Sequence, residues 1–278
     1  MVQDVVGSDS QPAPGTTPAS QMAAVIVAHL ADVHLDGTAM PRLRLEAVAN
    51  RLRASSDSID MIVVTGDLVE ATESPDPASD YTLIEELLTT IAPVVWCPGN
   101  SDDPVLMDRP GFSDVRVGNV RVVAIDSSLD SSIAGLVTPE AVSRLRQALT
   151  SAPVEELVLV ALHHPPVELG HPAVDQWRAF GETGLLAGLV ADSPQVIATL
   201  TGHTHLATFS SFGGKPLLVA PGVHSSGQPG IEHSSALDRL IDEQAAPAFA
   251  LHHVCPNGSI VTNIVPVPTV VTLCSRMR

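Results

Sequence analysis

The sequence predicts an α/β protein organised around a parallel sheet. Three observations carry this. Short apolar runs alternate with longer runs of helical periodicity from Ala23 onward. The residues that end the first three apolar runs are evenly spaced, Asp32 to Asp67 being 35 residues and Asp67 to Asn100 being 33. Each interval fits one βαβ unit of roughly 30 or more residues. Finally, five apolar runs end on carboxylate, imidazole or amide side chains. Repeated βαβ units direct strand C-termini to one edge, where α/β folds place their sites.

Ala24–His29 reads as the first strand. Leu43–Ala54 has Leu45, Val48, Ala49 and Leu52 at helical spacing, with arginines on the other side. Met61–Thr65 is a continuous apolar strand, Tyr81–Ile91 a helix and Val94–Cys97 a third strand. Val115–Val117 and Val120–Ile125, around Gly118-Asn119, suggest a hairpin. Pro139–Leu149 is a helix with Thr138 as its cap. Glu156–Leu162 is a strand, Glu182–Ala191 a helix and Val196–Leu200 a strand. Leu217–Ala220, Ala248–Val254 and Ser259–Val265 read as antiparallel strands closing a second sheet, with Asn257-Gly258 as a turn.

A chain of 278 residues suits one large domain or two small ones. Residues 1–22 are rich in Ser, Pro, Gly, Thr and Gln and are expected to form a disordered tail. The folded domain is expected over 23–270, and 271–278 as a second tail. With 45% hydrophobic but 3% aromatic residues, the core must be mainly aliphatic.

The net charge of −17, with Lys215 the only lysine, argues against binding duplex nucleic acid. No apolar run reaches the eighteen or so residues of a membrane span. Cys97, Cys255 and Cys274 are odd in number and widely spaced, so they are read as reduced thiols. With a start that lacks the layout of a signal peptide, a cytoplasmic location is expected.

The five strand-end segments are Asp32-Val33-His34, Gly66-Asp67-Leu68-Val69-Glu70, Gly99-Asn100-Ser101-Asp102-Asp103, His163-His164-Pro165-Pro166 and Gly202-His203-Thr204-His205. In Asp32-x-His34 and His203-x-His205, positions i and i+2 face one side. The Asp67 carboxylate has two oxygens and can bridge two metals. Asn100 offers an amide oxygen. One imidazole of His163-His164 can reach a metal while the other faces elsewhere. Two adjacent metals most often mean phosphate-ester hydrolysis. Mixed nitrogen and oxygen ligands suit Mn, Fe or Zn better than Mg or Ca.

The remaining histidines are weaker candidates. His252-His253 lie within a strand and read as structural. His29 is expected beneath the site, and His224 in a solvated loop or at the pocket. His171 and His233, in Pro/Gly/Ser-rich segments, are expected to face solvent.

These segments resemble the calcineurin-like metallophosphoesterase superfamily, whose pattern reads D-x-H, G-D-x-x-D/E, G-N-H-D/E, a later His, and G-H-x-H. The resemblance spans nearly all of residues 23–268. Asp32-Val33-His34-Leu35, Leu162-His163-His164-Pro165-Pro166 and Ala124-Ile125-Asp126-Ser127-Ser128 look most like bacterial class III cyclic-nucleotide phosphodiesterases.

The resemblance implies a four-layer α/β/β/α sandwich and two divalent metal ions. Asp32, His34 and His205 would hold the first ion, Asn100, His163 and His203 the second, and Asp67 would bridge them. It favours His163 over His164 as ligand. Asp67, Asn100, Ser101 and His164 would take the catalytic positions. Ser101 stands where the family usually has histidine, and its hydroxyl cannot supply a proton near neutral pH.

The implied activity is phosphodiester hydrolysis on cyclic nucleotides or related diesters. The alternatives are a phosphomonoesterase or nucleotidase on the same scaffold, and a metal-bound protein-interaction scaffold. The expected partners are a small phosphate-ester substrate and, as an open alternative, a second copy of the chain in a homodimer.

Overall fold

The computed structural model describes residues 23–107, 114–128, 132–228 and 240–269. Both expected tails, His233 and Cys274 lie outside these residues.

In chain order the strands are β1 Val25–Leu30, β2 Met61–Thr65, β3 Val94–Cys97, β4 Val115–Val117 and β5 Val120–Ala124. Then come β6 Leu136–Val137, β7 Leu157–Ala161, β8 Phe180–Gly181, β9 Val196–Thr201 and β10 Thr208–Phe212. The last are β11 Lys215–Val219, β12 Ser226–Gly227, β13 Ile241–Asp242, β14 Ala248–Val254 and β15 Ile260–Pro266. The helices are α1 Ala39–Arg53, α2 Pro77–Thr89, α3 Pro104–Met107, α4 Pro139–Thr150, α5 Pro172–Asp175 and α6 Thr183–Asp192.

The first sheet runs β15-β14-β1-β2-β3 and the second β10-β11-β9-β7-β5-β4. β1, β2 and β3 are parallel, as the two βαβ intervals require. β5, β7, β9 and β11 form the parallel heart of the second sheet.

The pairing of the late strands departs from expectation in two ways. β14 and β15 do not close the second sheet: β14 pairs antiparallel with β1, with Val25 opposite Val254, and β15 extends the first sheet from β14. β11 is parallel to its neighbour β9, and its antiparallel partner is β10, a strand with little apolar character in its sequence. Local pattern identifies a strand but carries no information on a partner more than two hundred residues away.

Strand alternation sorts the core into three layers. On β1, Ala28 and Leu30 face α1 and α2, packing with Leu45, Val48, Leu52, Ile84 and Leu88. Val25 and Val27 face the other way, joining Met61, Val63 and Val95 against Val122, Leu159, Ala161 and Leu200 of the second sheet. Val123, Val158 and Val160 then face α4 and α6 through Leu145, Leu186 and Val190. Three apolar interfaces between four layers make the α/β/β/α sandwich.

The helices start where their caps allow. Asp76 accepts from Ser79 N at 3.2 Å ahead of Pro77, and Thr138 accepts from Ala141 N at 3.2 Å ahead of Pro139. Each side-chain oxygen satisfies a backbone donor that the helix leaves unpaired.

Candidate metal centre

The five strand-end segments meet at one edge of the sandwich. Loop backbones bind them together: Val33 N and His34 N both donate to Asp67 O, at 2.8 and 2.9 Å. Gly202 N donates to His163 O at 2.9 Å, and His224 N to Asp32 O at 2.8 Å. The loops after β1 and β2 are thus fixed to each other by backbone alone, and so are those after β7 and β9.

Among the described residues, the non-glycine residues with positive φ are Asp32, His34, Asp67, His203 and His205, at 55°, 48°, 51°, 70° and 54°. All five are expected ligands. Left-handed backbone costs a non-glycine residue of order 1–3 kcal/mol, and such strain clusters at functional sites. At each strand end this sharp turn aims the side chain across the sheet edge.

Two glycines make the approach feasible. Gly66 has φ +83°, and a Cβ there would lie 2.4 Å from His163 Nδ1. A Cβ on Gly99 would lie 2.2 Å from both the backbone N and Oδ1 of Asp67.

The side chains form two adjoining sets. Ligand atoms of Asp32, His34 and His205 lie within 4.8 Å of one another, as do those of His163, His164 and His203, and those of Asp32, Asp67 and His163. Asp67 Oδ2 lies 3.6 Å from His34 Nε2 and 3.4 Å from His163 Nε2, so it reaches both sets. Asn100 Oδ1 and His203 Nδ1 each lie 3.2 Å from His163 Nε2.

The outer ring nitrogens are already engaged. His34 Nδ1 donates to Glu70, and His163 Nδ1 donates to the Thr65 carbonyl at 2.7 Å. His205 Nδ1 is paired with Ser225 Oγ at 2.5 Å. A donating Nδ1–H leaves the Nε2 lone pair pointing inward, the tautomer a metal needs.

His34 Nε2 and His205 Nε2 then face each other at 3.1 Å. Asp32 Oδ2 and His203 Nε2 are buried without a hydrogen-bond partner. Closely facing imidazole nitrogens and orphaned buried atoms fit a cation between them, and the residues present suit two.

The electrostatics agree. Burial opposes charge on His34, yet its bonded Glu70 carboxylate, with Asp67 and Asp32, pushes it up to about 9. His163 is also pushed up to about 9, Asp67 and Asp32 outweighing its burial. Asp67 is buried, but His163 and His34 beside it hold its carboxyl well below the usual carboxylate range. Burial raises Asp32 to about 7 against the pull of His163. Burial and the neighbouring His163 push His203 down to about 3. The pocket attracts positive charge but accepts it only on some rings, because protonated imidazoles this close repel one another.

His164 is fully buried, with Nδ1 3.0 Å from Ser127 Oγ. Its ring packs on His163 and His203, at 4.6 and 4.5 Å between centroids. It does not line the cleft. A role as proton donor to substrate therefore has no support in its position.

Ser101 donates its backbone N to Asp67 Oδ1 at 2.8 Å and its hydroxyl to Glu70 at 3.1 Å. It positions Asp67 and completes a Ser101–Glu70–His34 chain. Asp102, at the D/E position of the family pattern but with no role assigned from sequence, proves to be a brace. Its buried carboxylate accepts from Leu68 N, Val69 N, Gly99 N and Tyr81 OH at 2.8–3.1 Å, clasping the Asp67 and Asn100 loops together. Burial, with Asp67 nearby, raises it to about 6.

Above the ligands lies a cleft of about 470 Å³. Leu169, Val174, Trp177, Leu206 and Leu240 give it apolar walls, and no lysine or arginine lines it among the described residues. His171 lines this cleft rather than facing solvent, correcting the sequence expectation. His224 is half-buried with its ring 5.6 Å from His34. His29 and His252 are buried in the first sheet, as expected for structural residues.

Comparison with known proteins agrees with this geometry. A family model described as calcineurin-like phosphoesterase matches residues 26–207. The Pseudomonas aeruginosa protein named 3′,5′-cyclic adenosine monophosphate phosphodiesterase is 32% identical over 270 residues, covering 92% of this chain and 94% of that one. A probable cyclic nucleotide phosphodiesterase of Rhodococcus erythropolis is 29% identical, covering 84% of each. Among solved structures, a dimetal phosphatase from Danio rerio is 13% identical with a TM-score of 0.61, covering 89% of this chain and 100% of that one. That last likeness speaks for the fold alone. The strand-end ligand sets, the sandwich and the match over most of its length establish that the chain belongs to the calcineurin-like phosphoesterase family and is a hydrolase of phosphoric esters with residue clusters able to hold divalent metal ions.

Proposed function

We propose that this protein is a two-metal phosphodiesterase acting on cyclic nucleotides or related small diesters. The observation that carries the reading is the set of five left-handed ligand residues converging on two adjoining sites that share Asp67. Asp32, His34 and His205 would hold one ion, Asn100, His163 and His203 the other, with Asp67 between. When bound, two such ions polarise the phosphoryl oxygens and make a water molecule nucleophilic near neutral pH. The nitrogen and oxygen donors favour Mn, Fe or Zn.

The chain's own residues supply the rest. Glu70, Thr65 and Ser225 fix the ring orientations, and Asp102 fixes the loops. The apolar cleft walls offer surface to an organic substituent. Without a wall cation, the cleft suits a phosphodiester monoanion better than a monoester dianion or a polyphosphate. The names of the relatives point to the same substrate class. Cys97 is buried and free and Cys255 is free, which suits a reducing cytoplasm.

The test is hydrolysis by the Mn-loaded protein of bis-p-nitrophenyl phosphate, p-nitrophenyl phosphate, cyclic AMP and 5′-nucleotides. The diesters and cyclic AMP should be cleaved with the higher kcat/KM. A clear preference for the monoesters would replace this reading with that of a phosphomonoesterase.

A further inference from the structure

We propose that His171 donates the proton to the leaving-group oxygen; the inference rests on the phosphodiesterase reading. A phosphodiester with an alkoxide leaving group needs such a donor, because an alkoxide is too basic to depart unprotonated. The position where the family resemblance would put a histidine holds Ser101, whose hydroxyl is committed to Glu70.

The histidines can be sorted by where their nitrogens go. His34, His203 and His205 line the cleft but belong to the ligand sets. His164 is buried beneath them and bonded to Ser127. His224 backs His34 and does not line the cleft. His171 is, among the described residues, the cleft-lining imidazole outside the ligand sets. Its Nδ1 is buried and has no hydrogen-bond partner, so the ring is not spent on holding the fold.

Its backbone, by contrast, is held firmly. The Asp175 carboxylate accepts from Leu169 N at 2.6 Å and Gly170 N at 3.1 Å on one side. On the other, the His171 carbonyl accepts from Val174 N and Asp175 N, both at 2.8 Å. A fixed backbone carrying an uncommitted imidazole in the wall of the cleft that the ligand residues also line is what positioned acid catalysis requires.

In the balanced step, a water oxygen forms the new P–O bond as the P–O bond to the leaving group breaks. The electron pair of the broken bond stays on the departing oxygen. That oxygen takes the imidazolium proton of His171, giving an alcohol and a neutral imidazole. The water's surplus proton passes to solvent, and solvent reprotonates the ring.

The experiment compares methyl p-nitrophenyl phosphate, whose leaving group needs no proton, with methyl phenyl phosphate, whose leaving group gains from one. Wild type, His171→Gln, His171→Ala and His233→Gln are assayed as full-length, Mn-loaded protein. A positioned acid contributes about 10²- to 10⁴-fold. His171→Gln should therefore raise the p-nitrophenyl to phenyl ratio of kcat/KM by at least about tenfold. Added imidazole should bring that ratio back toward wild type in His171→Ala, a rescue that a merely structural histidine would not show. Equal losses on both esters would overturn the proposal, as would a ratio that moves with His233→Gln instead. If wild type cleaves neither diester, the phosphodiesterase reading falls and this inference with it.

Discussion

Asp67 is the residue on which the two ligand sets depend. One carboxylate oxygen lies within 3.6 Å of rings from both sets, while the other accepts the backbone N of Ser101. Losing an outer partner of a ligand typically costs about 10–100-fold in metal affinity. Glu70→Ala, which frees the His34 ring, should fall in that range. Asp67→Ala should lose more, together with at least one of two bound ions. Metal titration and elemental analysis of the purified variants would decide it, and full occupancy in Asp67→Ala would refute the bridging assignment. His163→Ala should likewise cost more metal and more activity than His164→Ala, since only His163 Nε2 sits among Asp67, Asn100 and His203. The reverse order would exchange their roles. The candidate ligands could be proposed from sequence because metal chemistry restricts the residue types and the strand ends restrict the places, while the choice of His163 over His164 rests on family resemblance. His171 was not legible: a histidine between Gly170 and Pro172 has no periodicity to say which way it faces.

At the scale of elements, the strand-to-loop turns matter more than the strands. The span of β2 and that of β3 agree with the sequence reading, because short runs rich in β-branched residues such as Met61–Thr65, stopped by Gly66, are too short for a helix. The turn at the end of β2 follows from the glycine at Gly66, but the ring packed against it could not be read from pattern. Gly66 turns the chain with φ +83° and lets the His163 ring pass where a side chain would otherwise stand. Gly66→Ala should therefore strain the backbone and push His163 aside at once. The expected result is a protein that still folds, with stability lowered by about 1–3 kcal/mol and metal affinity reduced. Urea unfolding and metal titration on the same preparation would test both. Wild-type metal affinity would show that the ring tolerates the added methyl. The pairing of β14 with β1 was likewise hidden, because the alternation that makes Ala248–Val254 a strand says nothing of which edge receives it.

At the scale of the whole molecule, the four layers were implied by family resemblance, and the three apolar interfaces give them their physical basis. One polar thread runs through the first sheet. Thr262 Oγ1 lies 2.9 Å from His252 Nδ1, His252 Nε2 lies 3.1 Å from His29 Nδ1, and His29 Nε2 lies 2.9 Å from Thr65 Oγ1. The thread crosses β15, β14, β1 and β2 and ends on the residue whose carbonyl orients His163. Burial, and then each ring's histidine neighbour, sets the titration: His252 is pushed down to about 3 and His29 well below its ordinary value. Both rings are therefore neutral in the fold but free to take a proton when unfolded. The stability they confer is complete above the unfolded value near 6.5. It falls as the pH drops from there toward 3, where His252 would at last be protonated in the fold as well. Over that window each ring should contribute a slope of about 1.4 kcal/mol per pH unit. His252→Gln keeps a hydrogen-bonding side chain in the thread but removes one titrating group. Metal-free wild type and variant, unfolded in urea at pH 7, 6, 5 and 4.5, share every other titrating residue. The variant should thus lose stability on acidification more slowly than wild type, by about 1.4 kcal/mol per pH unit below 6.5. Parallel curves would mean that His252 takes up its proton equally in the folded and unfolded chain, and that acid attacks this fold elsewhere.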